Sequence, residues 1–195
     1  MKEYEIIQPP FTTLCFKEMS KEDLKKYYKW YLDIMPKRLN LLIDVVKSFK
    51  DYESWKSDYS PESLEKLGQW FYENVETRKR TGEEKDDIYS KSPDWFKTVE
   101  IQDWELTNKT FSLSIDIGMY LANVFLKNNY SLKWDHFTKG KKIDIDYGQP
   151  VLIGFGSDTF NPTHISITLA YGLARKNKTG NRLKELYDTW IKFIK

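Results

Sequence analysis

Hydrophobic positions recur at helical spacing through the first half of the chain and at shorter, mixed spacing through the second. Ser20-Lys21-Glu22-Asp23 has the form of a capping box, with Asp in the usual Glu position, and opens a long helical pattern. Leu24, Tyr27, Tyr28, Tyr31, Leu32 and Met35 follow on one face. Pro36 lacks a backbone donor and disfavours helical geometry at Met35, which predicts a break or kink there. Leu39, Leu42, Ile43, Val46 and Phe49 then predict a second helix to about Lys50.

Ser60-Pro61-Glu62 reads as a helix start, with an N-cap, proline at the first helical position and an acid in the first turn. Leu64, Leu67, Phe71 and Val75 form its buried stripe, and Arg78, Lys79 and Arg80 suit the negative end of its dipole. Residues 81–94 carry Gly82, Glu83, Glu84, Asp86, Asp87, Ser92 and Pro93 and predict an exposed connection. From Phe111 to Leu126 both periods fit, but the run is long for a strand. We read it as a buried helix with an N-cap at Asn108, a stop at Asn128-Asn129, and Gly118 allowing close backbone approach.

Three strand patterns follow: Leu132, Trp134 and His136; Ile143, Ile145 and Tyr147; and the apolar run Val151 to Phe155. Asn161-Pro162 opens a helix with Ile165, Leu169, Gly172 and Leu173 on one side. After Gly180-Asn181 a last helix carries Leu183, Leu186, Tyr187, Trp190, Ile191 and Ile194. The expected architecture is α+β in one domain spanning 1–195: N-terminal helices (about 20–80), the connection, then a mixed part (about 95–195). There a small antiparallel sheet and two C-terminal helices close the core.

Composition bears on function more than on fold. The chain holds 7 Trp, 13 Tyr and 11 Phe against 2 His and 1 Cys, a palette suited to recognition rather than to catalysis. A net charge of +2 lacks the basic excess of a dedicated DNA-binding protein. No apolar run reaches the roughly 20 residues of a membrane span, and Met1-Lys2-Glu3-Tyr4-Glu5 lacks the form of a signal peptide, so the expected compartment is the cytoplasm. Cys15, between Leu14 and Phe16, has no partner for an internal disulfide.

Tyr52, Trp55, Tyr59, Trp95, Phe96 and Trp104 lie among charged residues, as interface anchors do, and are the expected partner-binding set. An alternative reading is a metal-assisted hydrolase. It would use Asp144, Asp146 and His136 catalytically, with Asp116, Asp144 and Asp146 able to hold a hard cation. Strand alternation alone also accounts for the two acids, by turning Ile143, Ile145 and Tyr147 inward. A further alternative places a phosphate-rich ligand or nucleic acid at Arg175, Lys176, Lys178, Arg182 and Lys184, within residues 175–184, although Arg175 and Lys176 equally suit a helix C-terminus. His164 falls in the first turn of its helix, where packing explains it as well as chemistry. Gly154-Phe155-Gly156-Ser157 covers only part of a phosphate-loop pattern.

The stretch from Leu113-Ser114-Ile115-Asp116-Ile117-Gly118-Met119-Tyr120-Leu121 through Trp134 and Gln149-Pro150-Val151-Leu152 to Asn161-Pro162 resembles small bacterial α+β proteins, some of them immunity proteins of secreted polymorphic toxins. That resemblance implies a toxin domain as partner and assigns no functional residue. The leading expectation is a cytoplasmic, non-catalytic protein-binding module, a bacterial toxin-immunity or regulatory protein that acts by occlusion and needs no cofactor.

Overall fold

Ser20 caps the first helix, its hydroxyl accepting the Asp23 amide at 3.1 Å, and α1 runs Lys21–Lys47. In this computed structural model, which describes residues 4–11, 15–139 and 141–195, the break expected at Pro36 does not occur. Pro36 occupies an exposed position, where water can serve the Leu32 carbonyl that loses its helical donor. Tyr31, Met35 and Leu39 on either side stay in the core and hold the two halves in line. A 3-10 turn, Lys50–Tyr52, then ends the segment.

Helix α2 (Ser63–Asn74) begins a turn later than Ser60 suggests, with Ser60 Oγ accepting the Ser63 amide at 3.3 Å. Leu64, Leu67, Trp70 and Phe71 form its buried face. Arg78, Lys79 and Arg80 do not end this helix. Thr110 Oγ1 accepts the Glu76 amide at 2.8 Å, and the Thr107 amide donates to the Glu76 carbonyl at 3.1 Å. These bonds draw the chain out of the helix and into β1 (Thr77–Lys79). Strand β1 pairs antiparallel with β2 (Trp104–Leu106), Thr77 opposite Leu106.

Between these strands, the expected irregular connection is instead α3 (Gly82–Lys91) followed by a 3-10 turn, Asp94–Thr98. Thr81 and Glu84 form a reciprocal capping box, at 3.1 Å and 2.8 Å, which is enough local structure to start a helix without a core. The exposure expected of the segment holds.

The dual-period stretch is helical: α4 runs Asn108–Asn128, capped by Thr107 rather than Asn108. It is the central helix, buried on most sides. Gly118 lets α5 (Pro162–Ala174) approach, since a Cβ there would lie 2.5 Å from the Pro162 carbonyl oxygen. Strands β3 (Lys133–His136), β4 (Pro150–Phe155) and β5 (Asp158–Phe160) form an antiparallel meander in that order.

Its second strand is not the one expected from Ile143, Ile145 and Tyr147. Those residues lie in the loop joining β3 to β4, built of successive turns bonded from Asp144 to Lys141 and from Tyr147 to Asp144. Only Tyr147 points inward, while Ile143 and Ile145 are 80% and 69% exposed. Helix α6 (Arg182–Trp190) completes an α+β fold. Phe125 centres its aromatic core, with ring centroids 5.4, 5.0 and 4.7 Å from Phe155, Phe160 and Tyr187.

Candidate binding surfaces

The six aromatic residues nominated as partner anchors divide into two groups. Tyr52 and Trp55 are core residues, and this corrects their assignment to a surface. The Trp55 indole N–H donates to the Ser63 carbonyl at 2.9 Å, and its ring packs 5.4 Å from Tyr120. Tyr59 is half-buried and stacks on the same tyrosine at 4.8 Å. The segment between α1 and α2 has folded back over its own aromatics, because Tyr120 of α4 supplies both a ring and a hydroxyl to meet them.

Trp95, Phe96 and Trp104 remain outside the core. From Arg80 to Asp103 no apolar side chain is buried, and Arg80 alone tucks its side chain in, against Glu105, so this segment is an arm set between β1 and β2. Its order comes from local polar contacts. Arg78 pairs with Glu84 at 2.5 Å, Lys85 pairs with Asp103, and the Tyr89 hydroxyl donates to the Val99 carbonyl at 3.0 Å. The Arg78 guanidinium, with the Thr81 amide, holds the Glu84 carboxyl down at about 2. Trp95 is 71% exposed and sits edge-on to Phe96 at 5.8 Å, with Val99 also exposed beside the same turn. Trp104, at the root, packs against Tyr171 of α5 at 6.1 Å.

A cleft of about 790 Å³ opens beside that root, over α5 and α6. Its apolar wall comes from Ile165, Leu169 and Leu186, with the Tyr171 ring beside them. His164, Arg175, Lys178 and Arg182 bring positive or protonatable groups to the rim, and no aspartate or glutamate lines it among the described residues. Arg175 donates to the Gln102 side chain at 3.0 Å, and Arg182 pairs with Glu185 at 3.1 Å. Neither Arg175 nor Lys178 has an acidic partner among the described residues. The basic cluster seen in the sequence is thus divided: Arg175, Lys178 and Arg182 face the cleft, whereas Lys184 pairs with Asp188 at 2.7 Å. Tyr171, Thr168 and Gln102 carried no signal in the sequence, since only the packing of α5 against α6 and the arm's root makes them neighbours.

The carboxylate–histidine set for metal chemistry does not assemble. Asp116 is fully buried on α4, clamped by Arg38 Nε at 2.9 Å and Nη2 at 2.6 Å, and it accepts the Tyr4 hydroxyl. Burial pushes its carboxyl up, and the Arg38 guanidinium pulls against that shift. Three donors engage the carboxylate and Arg38 already balances its charge in the core, away from the other acids, which sets it outside any cation site with Asp144 and Asp146. His136 stacks on Tyr28 at 5.3 Å, and burial pulls its imidazole below the usual range. Asp146 meets the other histidine instead, with His164 Nδ1 at 3.5 Å and the Asn161 amide at 2.9 Å. Among the described residues no three His, Cys, Asp or Glu side chains come close enough to hold a metal ion. Cys15 is half-buried, and the full Leu14-Cys15-Phe16 setting lies partly outside the described residues.

None of the described helices is long and apolar enough to cross a membrane. Comparison of the chain with protein-family models, with curated proteins and with solved structures returns no match.

Proposed function

We propose that the protein is a cytoplasmic protein-binding module whose arm, residues 80–103, carries the contact surface for a protein partner. One observation carries this reading. A continuous, folded segment buries none of its apolar side chains, yet holds Trp95 and Val99 out to water. Ordering backbone costs about 1–2 kcal/mol per residue, and burial of apolar area is the usual compensation. Here that compensation is missing within the chain, and an exposed tryptophan beside charged residues has the make-up of an interface anchor.

The partner is engaged by occlusion: apolar anchors at Trp95, Phe96 and Val99 sit among charges that set orientation. Covering the working surface of a secreted toxin domain is the use that the resemblance to immunity proteins suggests for such an arm.

Site-specific photo-crosslinking from position 97, an exposed neighbour on the same turn, in the native host tests the proposal. One discrete protein adduct, lost in Trp95→Ala combined with Val99→Ala, is the expected result. A crosslinking pattern no richer than that from an exposed site on α6 would remove the arm from consideration.

A further inference from the structure

We infer that the cleft over α5 and α6 is a separate binding site for a small organic anion, one with an apolar body and a single carboxylate, sulfonate or phosphate head. The inference does not depend on the role of the arm. A volume of about 790 Å³ falls in the range of ligand pockets. Such pockets combine an apolar lining with a few placed polar groups, and this one pairs Ile165, Leu169 and Leu186 with Arg175 and Lys178. Acids are absent from the lining itself, and the carboxylates just behind it are each partnered, Asp146 with His164, Glu105 with Tyr171 and Glu185 with Arg182, which leaves Arg175 and Lys178 as the cations open to a ligand.

Lys178 lines the cleft with its stem laid against Gly172. A Cβ at Gly172 would lie 2.8 Å from Lys178 Cγ, so the bare backbone gives the lysine stem room to lie close. Lys178 is exposed, and a long cationic side chain there can lay its stem on the apolar wall and keep its ammonium in water. Arg175, steadied by Gln102, supplies planar donors suited to a carboxylate or phosphate from the other side. The cation arrangement and the apolar wall therefore select an amphipathic anion over either an inorganic ion or a neutral hydrophobe.

A matched pair of dyes reads this selection directly. Anilinonaphthalene sulfonate carries the anionic head, and N-phenyl-1-naphthylamine is nearly the same ring system without it. With the full chain, the sulfonate is expected to bind at least about tenfold more tightly, a preference that salt reduces. Arg175→Gln with Lys178→Gln should weaken the sulfonate about tenfold and leave the neutral dye unchanged. Thr168→Trp, at an exposed position on the wall, should block both dyes without disturbing the fold. Trp95→Ala should affect neither, which separates this site from the arm.

Equal affinity for the two dyes overturns the inference. So does a sulfonate affinity indifferent to all the cleft variants. Displacement of the dye at lower concentration by an acidic peptide or a single-stranded oligonucleotide reassigns the cleft to a macromolecule. A concentration-dependent dimer that excludes the dye reassigns it to a contact between two copies of the chain.

Discussion

Arg38 of α1 and Asp116 of α4 form a two-pronged ion pair with almost no exposure, Nη2 to Oδ2 at 2.6 Å and Nε to Oδ1 at 2.9 Å. The pair also organises the start of the chain. Tyr4 donates to the same carboxylate, its ring lies 5.4 Å from the guanidinium, and Arg38 Nη1 donates to the Glu5 carbonyl at 2.8 Å. Removing one buried charge leaves the other without compensation, at a cost of about 3–5 kcal/mol, whereas replacing both by apolar residues is often near neutral. Asp116→Leu is therefore expected to be severely destabilising, and Arg38→Met with Asp116→Leu to recover most of the loss. Urea unfolding of the two single variants and the double variant checks this. Additive losses would mean that the two side chains do not act as a pair.

Trp55 and Trp95 look alike in the sequence and should behave oppositely. Trp55 is 3% exposed and bonded to Ser63, so Trp55→Ala should cost about 3–5 kcal/mol of stability. Trp95→Ala, at the tip of the arm, should stay within about 0.5 kcal/mol of the parent. Thermal melts of both variants decide the matter, and similar losses would show that the arm is part of the cooperative core.

Gly118 is where two helices touch. A side chain there must displace the Pro162 carbonyl, which is backbone and cannot rotate away. Gly118→Ala is expected to cost about 1–3 kcal/mol through separation of α4 and α5, although alanine is the better helix former. A stability gain measured by chemical denaturation would refute the close approach.

Acid should loosen the protein at His136 before it reaches most carboxylates. Burial lowers the imidazole pKa from its ordinary 6.5, the Gly148 backbone opposing the shift, so the unfolded chain takes up a proton more readily than the folded one. The stability linked to this group is complete above about pH 6.5 and is lost as pH falls below it. His136→Phe, which keeps a ring against Tyr28, should flatten that part of the profile. Unfolding midpoints of both proteins between about pH 7.5 and 5 give the comparison.

The arm should respond to acid separately, and later. Its Glu84 carboxyl is held at about 2 by Arg78, so the support it gives is complete above the usual glutamate range and lost as pH falls toward that value. Thr81→Ala removes the other half of the capping box and should speed amide exchange across residues 82–91 at neutral pH. The melting temperature should stay nearly unchanged, because α3 buries no side chain.

Several elements were legible from local pattern because local physics sets them. Ser20 and Asn161 cap their helices where expected, and the 111–126 run is helical because a buried helix can be apolar on most sides. Arg38 left a signal of its own: it falls in register with Leu24, Tyr27, Tyr31, Met35 and Leu42 on the buried stripe of α1. A cation there needs a buried acid, and Asp116 inside an apolar helix is the complementary sign. The failures also have causes. Alternation at 143–147 reads as a strand only if a neighbouring strand pairs with it, and β3 pairs with β4 across that loop.

By itself the sequence determined most of the helical segments, α3 excepted, where α1, α5 and α6 begin, and which helix faces carry the core. Those properties depend on side chains within a few turns of one another. Tertiary structure alone decided which aromatics are surface, because Trp55 is covered by Tyr120 from 65 positions on, whereas Trp95 meets only its neighbour Phe96 and stays 71% exposed. It also parted Asp116 from the other acids and gathered Gln102, His164, Arg175 and Lys178 around one cleft. Burial and proximity across distant segments are set by how the helices pack, and residue spacing along the chain carries little record of that.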